Sequence, residues 1–264
     1  MADSSGKWDD LIVRLVSAVV MIGVGLVAIW FGGWVFGGLV ALIGGAMIWE
    51  LVRLIGGGSQ QALLLAGLAG LCLLIGTLIP PGFALPLMMA PAFVGLSRLK
   101  AHRTVFMTFS AAILLASYGM VALRQDYGMA WLMWLVLVVV VTDVAGYFAG
   151  RMIGGPKFWP RVSPKKTWSG TVAGWLGAGS VGVIYWLSGA SGPDVIGVSI
   201  AVSMASQMGD IAESAVKRRV GVKDASTLIP GHGGLLDRFD GMLGGALFLL
   251  LVAQVLVFPA GGTP

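Results

Sequence analysis

The sequence predicts an all-α, polytopic membrane protein with about nine transmembrane helices. Of the 264 residues, 57% are hydrophobic and only 11% are charged, and the mean hydropathy is +0.91. Soluble domains average about 25% charged residues, so this composition excludes an ordinary soluble protein. A second observation is that apolar stretches recur at close to the roughly 20 residues that span a bilayer. The lone cysteine, Cys72, excludes a disulfide framework.

Short polar segments separate the apolar stretches and set the predicted order of the spans. The fourth stretch is short and contains Pro86 and Pro91, which predicts a kinked or re-entrant segment because proline interrupts helical hydrogen bonding. The predicted spans cover residues 11–31, 34–55, 62–79, 83–97, 105–123, 130–150, 168–188, 194–214 and 241–258.

The basic residues predict how these spans are oriented. If the N-terminus is cytoplasmic, every lysine and arginine except Arg124 falls on the cytoplasmic side. The positive-inside rule describes this asymmetry, so we expect a cytoplasmic N-terminus and an outside C-terminus. Any active surface should then face the cytoplasm, in a bacterial-type inner or plasma membrane. The same rule and anionic lipid headgroups explain the net charge of +5 better than nucleic acid does.

Residues 1–130 are predicted to be a transmembrane scaffold with little chemistry, serving lipid access or dimer contacts. Glu50 and Arg53 are i, i+3 neighbours at the end of the second span, a spacing that favours an ion pair. Residues 131–264 are predicted to form the catalytic region, with cytoplasmic loops at 151–167 and 215–240.

Asp143 lies well inside the sixth predicted span. A carboxylate at the bilayer centre costs about 3 kcal/mol on insertion scales, so Asp143 is a functional candidate. The alternative is a buried structural hydrogen bond to a serine or tyrosine. The basic loop that follows carries Ser163, Lys165, Lys166 and Thr167 close to the start of the next helix. Lysines and helix N-termini both hold phosphate oxygens, so this loop indicates phosphate binding.

The segment from Ser206 to Asp240 concentrates polar residues in an otherwise apolar chain: five acids, five bases and one of two histidines. Asp210 and Asp237 sit at the cytoplasmic ends of neighbouring predicted spans. Side by side at about 4 Å they would repel by roughly 4 kcal/mol at an effective dielectric of 20, and a hard cation would remove that repulsion. Oxygen ligands without His or Cys indicate magnesium, which keeps positions open for substrate phosphates.

Part of this segment resembles the signature of phosphatidate cytidylyltransferases, also called CDP-diacylglycerol synthases. The resemblance rests on Ser214-Ala-Val-Lys-Arg218, then Lys223-Asp-Ala-Ser226 after four residues, then Leu228-Ile-Pro-Gly-His-Gly-Gly-Leu-Leu-Asp-Arg-Phe-Asp240. Residues 143–150 and 163–167 and the pair Gly209-Asp210 resemble the same family. The similarity covers about residues 143–240, whereas the N-terminal half resembles only generic membrane helices.

The resemblance implies the reaction of CTP with phosphatidic acid to give CDP-diacylglycerol and pyrophosphate. A phosphate monoester has a second pKa of about 6, so the lipid phosphate can attack the CTP α-phosphorus without a protein nucleophile.

The resemblance also implies Mg²⁺ as a cofactor and leaves a second cation open. The partners it implies are CTP, phosphatidic acid, the bilayer and a second copy of the chain. The implied catalytic residues are Asp210, Asp237, Lys217 and Lys223. The implied metal ligands are Asp210 and Asp237, with Asp143 and Asp240 as further ligands or their neighbours. The implied phosphate-binding residues are Ser163, Lys165, Lys166, Thr167, Ser214, Arg218, His232, Gly233, Gly234 and Arg238.

Other functions remain open at this stage. A cation-coupled transporter would also use an intramembrane Asp143 and broken helices, although the polar residues gather at one surface rather than along a path. A related CTP-dependent transferase or kinase acting on another lipid acceptor would use the same groups. A CDP-alcohol phosphotransferase is disfavoured because the chain has no Asp-Gly-x-x-Ala-Arg element.

Overall fold

A computed structural model describes residues 5–253 of the chain, with side chains from residue 12 onward. The protein is nearly all-α, as predicted, with one short antiparallel β-hairpin. The helices are α1 (Ser5–Phe31), α2 (Gly33–Leu54), α3 (Ser59–Gly76), α4 (Pro81–Met88), α5 (Ala90–Arg98), α6 (Arg103–Asp126), α7 (Met129–Met152), α8 (Trp168–Leu187), α9 (Asp194–Arg219) and α10 (Leu236–Val252). The strands are β1 (Lys157–Trp159) and β2 (Ser163–Thr167).

Seven of the described helices, α1–α3 and α6–α9, are long and apolar enough to cross a membrane. Among residues 5–253 the predicted count of nine is not confirmed, for two separate reasons. The fourth predicted span, 83–97, is broken at Met89 into α4 and α5, which have 8 and 9 residues and are each too short to span. The ninth, 241–258, coincides with α10, but its last residues lie outside the described part. Both chain ends also lie outside it, so their orientation stays a prediction.

The chain forms two compact units. The first unit contains the described part of residues 1–114 together with residues 220–238, and the second contains residues 115–219 with the described part of 239–264. In the first unit α2 packs against α3, and Gly45 of α2 lies close to the backbone of α3. A Cβ atom at Gly45 would lie 2.9 Å from the carbonyl oxygen of Ala66, so any larger residue would force the two helices apart.

The second unit is built on α7, α8 and α9, which pack against one another. Gly146 of α7 faces the backbone of Gly170 in α8, where an added Cβ would lie 3.2 Å from the Gly170 carbonyl oxygen. Buried hydrogen bonds link α7 to α9: Thr142 donates to Ser203 Oγ at 2.8 Å, and Trp134 Nε1 donates to Ser199 Oγ at 3.0 Å. This backbone-close packing brings the start of α8 against the cytoplasmic half predicted for α7.

The predicted loop 151–167 contains the β-hairpin. Lys157 pairs with Thr167 and Trp159 with Ser163, with an irregularity in the register between the two pairs. Phe158 packs edge-on against Trp168 with ring centroids 4.7 Å apart, which fastens the hairpin to the first turn of α8. The hairpin thereby holds the basic residues of β2 at a fixed position beside α8.

Candidate functional site

A cleft of about 540 Å³ lies within the second unit. Residues from α7, β2, α8 and α9 line it. Acidic and basic side chains face each other there: the lining includes Asp143, Asp210, Arg151, Lys165 and Lys166. The cleft therefore joins Asp143 and the basic hairpin that follows it to Asp210, which lies 44 positions after Lys166 in the sequence.

Of the two acids that line the cleft, Asp210 has more polar contacts than Asp143. Its carboxylate forms an ion pair with Lys166 Nζ and accepts a hydrogen bond from Ser214 Oγ at 3.2 Å. Both charged side chains remain partly exposed, at 25% for Lys166 and 30% for Asp210. Solvent and a ligand can therefore reach this pair.

Asp143 lines the same cleft from α7. The alternative considered from the sequence was a structural hydrogen bond from a serine or tyrosine. Within the part of the chain that the structure describes, no such hydroxyl donates to the Asp143 carboxylate. Its oxygens are thus left for a group that enters the cleft.

Asp240 lies just before the apolar segment that begins at Gly241, and it belongs to the same acidic group. Its Oδ1 accepts a hydrogen bond from the backbone N–H of Gly241 at 2.7 Å. Burial, followed by the negative charge of Asp210, raises the pKa of Asp240 to about 7; Asp143 adds to the rise and Lys217 opposes it. Three carboxylates of this unit therefore lie close enough to repel one another.

This donor set fits magnesium in its chemistry. All the candidate donors are carboxylate or hydroxyl oxygens, and a cation would relieve the repulsion that adds to burial in raising the pKa of Asp240. No three Asp, Glu, His or Cys side chains among residues 12–253 converge on a common point. Mg²⁺ does not require such a cage, since it takes one or two carboxylates and completes its shell with water and phosphate oxygens.

The start of α8 contributes an anion-binding element. Thr167 caps this 20-residue helix, and its Oγ1 accepts a hydrogen bond from Gly170 N at 3.2 Å. Thr167 also lines the cleft, although it is only 4% exposed, so its predicted phosphate contact stays a prediction beside its role in the cap. Ser163 begins β2 and is not among the residues that line the cleft. The helix end itself supplies N–H groups suited to phosphate oxygens.

Two cleft residues were missed by the sequence analysis as site candidates. Arg151, in the last turn of α7, donates to the Tyr147 hydroxyl at 2.8 Å. Gln207 donates to the Thr171 carbonyl at 3.2 Å and accepts from Trp175 Nε1 at 3.0 Å, joining α9 to α8. Arg151 lies two helical turns after Asp143, and Gln207 lies one turn before Asp210. This spacing from two candidate acids is the sequence signal that could have identified them.

The other basic candidates of α9 lie in its last turn. Lys217 forms an ion pair with Glu213, a glutamate that is only 2% exposed. Lys217 also lies near enough to Asp240 to oppose the rise in its pKa. Its charge is therefore already balanced by acids, and Arg218 beside it remains a predicted phosphate ligand.

Residues 222–236, here termed the signature loop, fold compactly within the first unit. Ile229 and Gly233 pair across a tight turn, and Gly231 and Gly233 have φ angles of 74° and 86°, which favour glycine. Arg238 Nε and Nη2 both donate to the carbonyl oxygen of His232, at 2.9 and 2.6 Å. Arg238 thus holds the turn, and the phosphate contact that the family resemblance implies for it stays a prediction.

Asp237 organises the same loop. Its Oδ2 accepts hydrogen bonds from the backbone N–H groups of Ala225, at 2.9 Å, and Gly234, at 2.8 Å. Asp237 belongs to the first unit and Asp210 to the second, so their predicted sharing of one ion stays a prediction from the sequence. Asp237 also has a structural role, because its hydrogen bonds hold residues 225 and 234 of the loop close together.

Glu50 was assigned wrongly from the sequence. It does not pair with Arg53, whose Nη1 donates instead to the Gly57 carbonyl at 3.1 Å and to Ser59 Oγ at 3.2 Å. Glu50 is fully buried and accepts hydrogen bonds from the signature loop. The contact was invisible in the sequence because its partners are 176 to 186 positions away.

Comparison with known proteins adds a family to this geometry. Residues 12–256 match the profile described as the cytidylyltransferase family. A phosphatidate cytidylyltransferase of Brucella suis is 34% identical over 261 residues, covering 95% of this chain and 96% of the relative. A protein of the same description from Helicobacter pylori is 37% identical over 134 residues, which cover 50% of this chain and 50% of the relative. Another, from Staphylococcus aureus, is 32% identical over 180 residues, which cover 64% of this chain and 68% of the relative.

Proposed function

The chain belongs to the cytidylyltransferase family, and on that premise we propose that it is a phosphatidate cytidylyltransferase, which converts CTP and phosphatidic acid to CDP-diacylglycerol and pyrophosphate. The observation that carries the proposal is the cleft of the second unit. It combines Asp143 and Asp210 with Lys165, Lys166 and the N-terminus of α8. Carboxylates for a hard cation next to basic groups for phosphates are what transfer of a nucleotidyl group requires.

The chemistry needs no protein nucleophile. An oxygen of the lipid phosphate attacks the α-phosphorus of CTP, the bond from that phosphorus to the bridging oxygen of the β-phosphate breaks, and pyrophosphate leaves with the bonding electrons. The protein therefore has to align two polyanions and offset their charge. We assign this work to Lys165, Lys166 and Arg151 of the cleft, with the N–H groups at the start of α8.

Lys166 has two alternative partners in this scheme. One is Asp210, with which it forms an ion pair. A triphosphate entering the cleft competes for the lysine ammonium, because charge-assisted bonds to phosphate are strong. Lys166 would then transfer to phosphate, and the Asp210 carboxylate would become free.

Magnesium, when bound, offsets phosphate charge and stabilises the leaving pyrophosphate. Asp210 and Asp143 are the residues that would hold it in the cleft, with Asp240 beside them. Asp237 is retained as a predicted ligand, and a second cation stays open. Lys217, Lys223, Ser214, Arg218, His232, Gly233 and Gly234 keep the roles that the family resemblance implies.

We further propose that the reaction takes place at the cytoplasmic face, where the positive-inside rule puts the basic residues of the cleft. A homodimer in the bilayer belongs to the same proposal, since the glycine-rich spans permit close contact between two copies. Crosslinking in native membranes would test the dimer, and labelling of single cysteines introduced into the hairpin would test the cytoplasmic face.

Purified protein incubated with CTP and a panel of lipid phosphates, with and without magnesium, tests the activity directly. We expect CDP-diacylglycerol by mass spectrometry with phosphatidic acid, only when magnesium is present. A cytidylylated product from another lipid alone would identify a related transferase, and a phosphorylated lipid with CDP would identify a kinase. Ion uptake into vesicles without CTP would favour a transporter.

A further inference from the structure

We propose that Glu50 of α2 is a positioning residue for cytidylyl transfer, because it fixes the neck of the signature loop in the first unit. The neck is the place where residues 225–226 and residues 234–236 of the loop lie side by side. The inference rests on the proposed function. It assigns a role in the reaction to the N-terminal helices, which the sequence analysis had treated as scaffold.

Three donors of the loop converge on the Glu50 carboxylate. Ser226 Oγ and the backbone N–H of Leu235, at 2.9 Å, bind Oε1, and the backbone N–H of Leu236, at 2.7 Å, binds Oε2. Leu236 is the first residue of α10, so the carboxylate also satisfies an N–H group at a helix start. A negative charge is favourable there because of the helix dipole.

Glu50 and Asp237 hold adjacent positions of the same neck. Asp237 binds Ala225 N and Gly234 N, while Glu50 binds Ser226 and the N–H groups that follow Gly234. Each carboxylate therefore joins the outgoing segment of the loop to its returning segment. Ser226 Oγ accepts in turn from Leu228 N at 3.0 Å, which carries the constraint toward the turn at 229–233.

Glycine at position 234 is explained by this arrangement. A Cβ atom there would lie 2.8 Å from Glu50 Oε1 and 3.0 Å from Oε2. The backbone of Gly234 is not in the left-handed region, so the space taken by Glu50 is the constraint. The signature loop and a helix 170 residues earlier in the chain are thus fitted to each other.

The burial of Glu50 points to a purpose beyond stability. Its side chain is 0% exposed, and a buried carboxylate is costly unless donors surround it. A residue of similar volume without a charge could fill the same space. What the carboxylate alone supplies is a fixed geometry for three donors, and the loop that it fixes carries Lys223, His232 and the start of the helix bearing Asp237.

Glu50→Gln tests the idea with little change of shape. The amide nitrogen cannot accept a hydrogen bond, so the Gln side chain loses at least one of the three donors. Arg98→Gln is the matched control, a charged-to-neutral change at the exposed end of α5 in the same unit, because Arg53 lines a pocket together with residues 222–228. Hydrogen exchange followed by mass spectrometry and steady-state kinetics with CTP and phosphatidic acid are measured for both variants and the wild type.

We expect faster amide exchange in residues 225–236 of Glu50→Gln, with α2 and α3 unchanged, and a fall in kcat of about 100-fold, the scale expected for a misplacement near 1 Å. Ser226→Ala should act in the same direction, and the double variant should lose little more than Glu50→Gln alone. Arg98→Gln should leave the exchange of this segment unaltered.

Unchanged exchange in the loop of Glu50→Gln would overturn the inference, and so would faster exchange with wild-type kcat. Exchange raised throughout the first unit would also overturn it, because Glu50 would then serve folding alone. A wild type that transfers no cytidylyl group would overturn the proposed function instead, and the exchange data would still decide whether Glu50 holds the loop.

Discussion

Lys166 of the hairpin and Asp210 of α9 form an ion pair inside the cleft of the second unit. The two residues are 44 positions apart in the sequence, and the hairpin and the packing of α8 against α9 bring them together. The pair places one phosphate-binding candidate in contact with one metal-binding candidate. Under the proposed function, binding of the nucleotide and exposure of the acid would be linked through this one contact.

Replacing Lys166 by alanine should raise the KM for CTP by about 10- to 100-fold, the effect of losing one hydrogen bond to a charged group. Initial rates at varied CTP would measure it. Lys157→Ala, in β1 outside the cleft lining, is the matched control and should keep wild-type kinetics. Unchanged KM and kcat in Lys166→Ala would show that this lysine contributes only to the orientation of the loop in the membrane and not to catalysis.

Asp210→Asn should lower magnesium-dependent turnover by about a thousandfold, because metal stabilisation of phosphate charge is worth several kcal/mol. The variant also frees Lys166, so its affinity for CTP should hold or improve. Calorimetric titration of Mg²⁺ and CTP would separate the two effects. Asp194→Asn, at the other end of α9, is the control. Normal turnover in Asp210→Asn would remove the metal assignment.

Two substitutions of Asp237 should behave differently. Asn keeps one side-chain carbonyl oxygen that can accept from Ala225 N and Gly234 N, so the fold should be preserved while turnover is lost. Alanine removes both hydrogen bonds and should also destabilise the protein by about 2–4 kcal/mol. Thermal unfolding in detergent and turnover of both variants would be compared. Wild-type turnover in Asp237→Asn would contradict a role for this charge at the metal.

Gly234→Ala should reduce turnover because the added methyl group would displace the Glu50 oxygens. We expect a loss of stability of about 1–3 kcal/mol from overpacking and faster exchange of the signature loop. Gly197→Ala is the control, since nothing lies within 4 Å of a Cβ atom at that helical position. If Gly234→Ala matched the wild type in turnover and exchange, the fit between Glu50 and the loop would be looser than the distances indicate.

Much of the fold could be predicted because membrane helices are encoded locally. The backbone groups of an apolar run in the bilayer must be hydrogen-bonded within the run, so a run of the right length forms a helix. The residues of each such helix can therefore be read from the sequence. The break in the fourth predicted span followed from Pro86 and Pro91 for the same local reason. The hairpin at 157–167 was less visible, since its register depends on packing against α8 and three prolines made the segment look irregular.

The site was predictable only in part. Asp143, Lys166 and Asp210 stand out because polar residues are rare in this chain, and the cleft brings them together. Arg151 and Gln207 did not stand out, since a helix-end arginine and a lone glutamine have ordinary structural uses. Thr167 and Arg238 stay predicted phosphate ligands, and the structure shows partners that no sequence pattern indicated: Gly170 N for Thr167 and the His232 carbonyl for Arg238.

By itself the sequence determined that this protein lies in the membrane, where most of its helices run, and which contiguous residues carry the family signature, because each of these depends on neighbours along the chain. The tertiary structure alone decided which acid meets which donor. Lys166 contacts Asp210, and Glu50 accepts hydrogen bonds from a loop 176 to 186 positions later, because such contacts arise from helix packing, which no local spacing records.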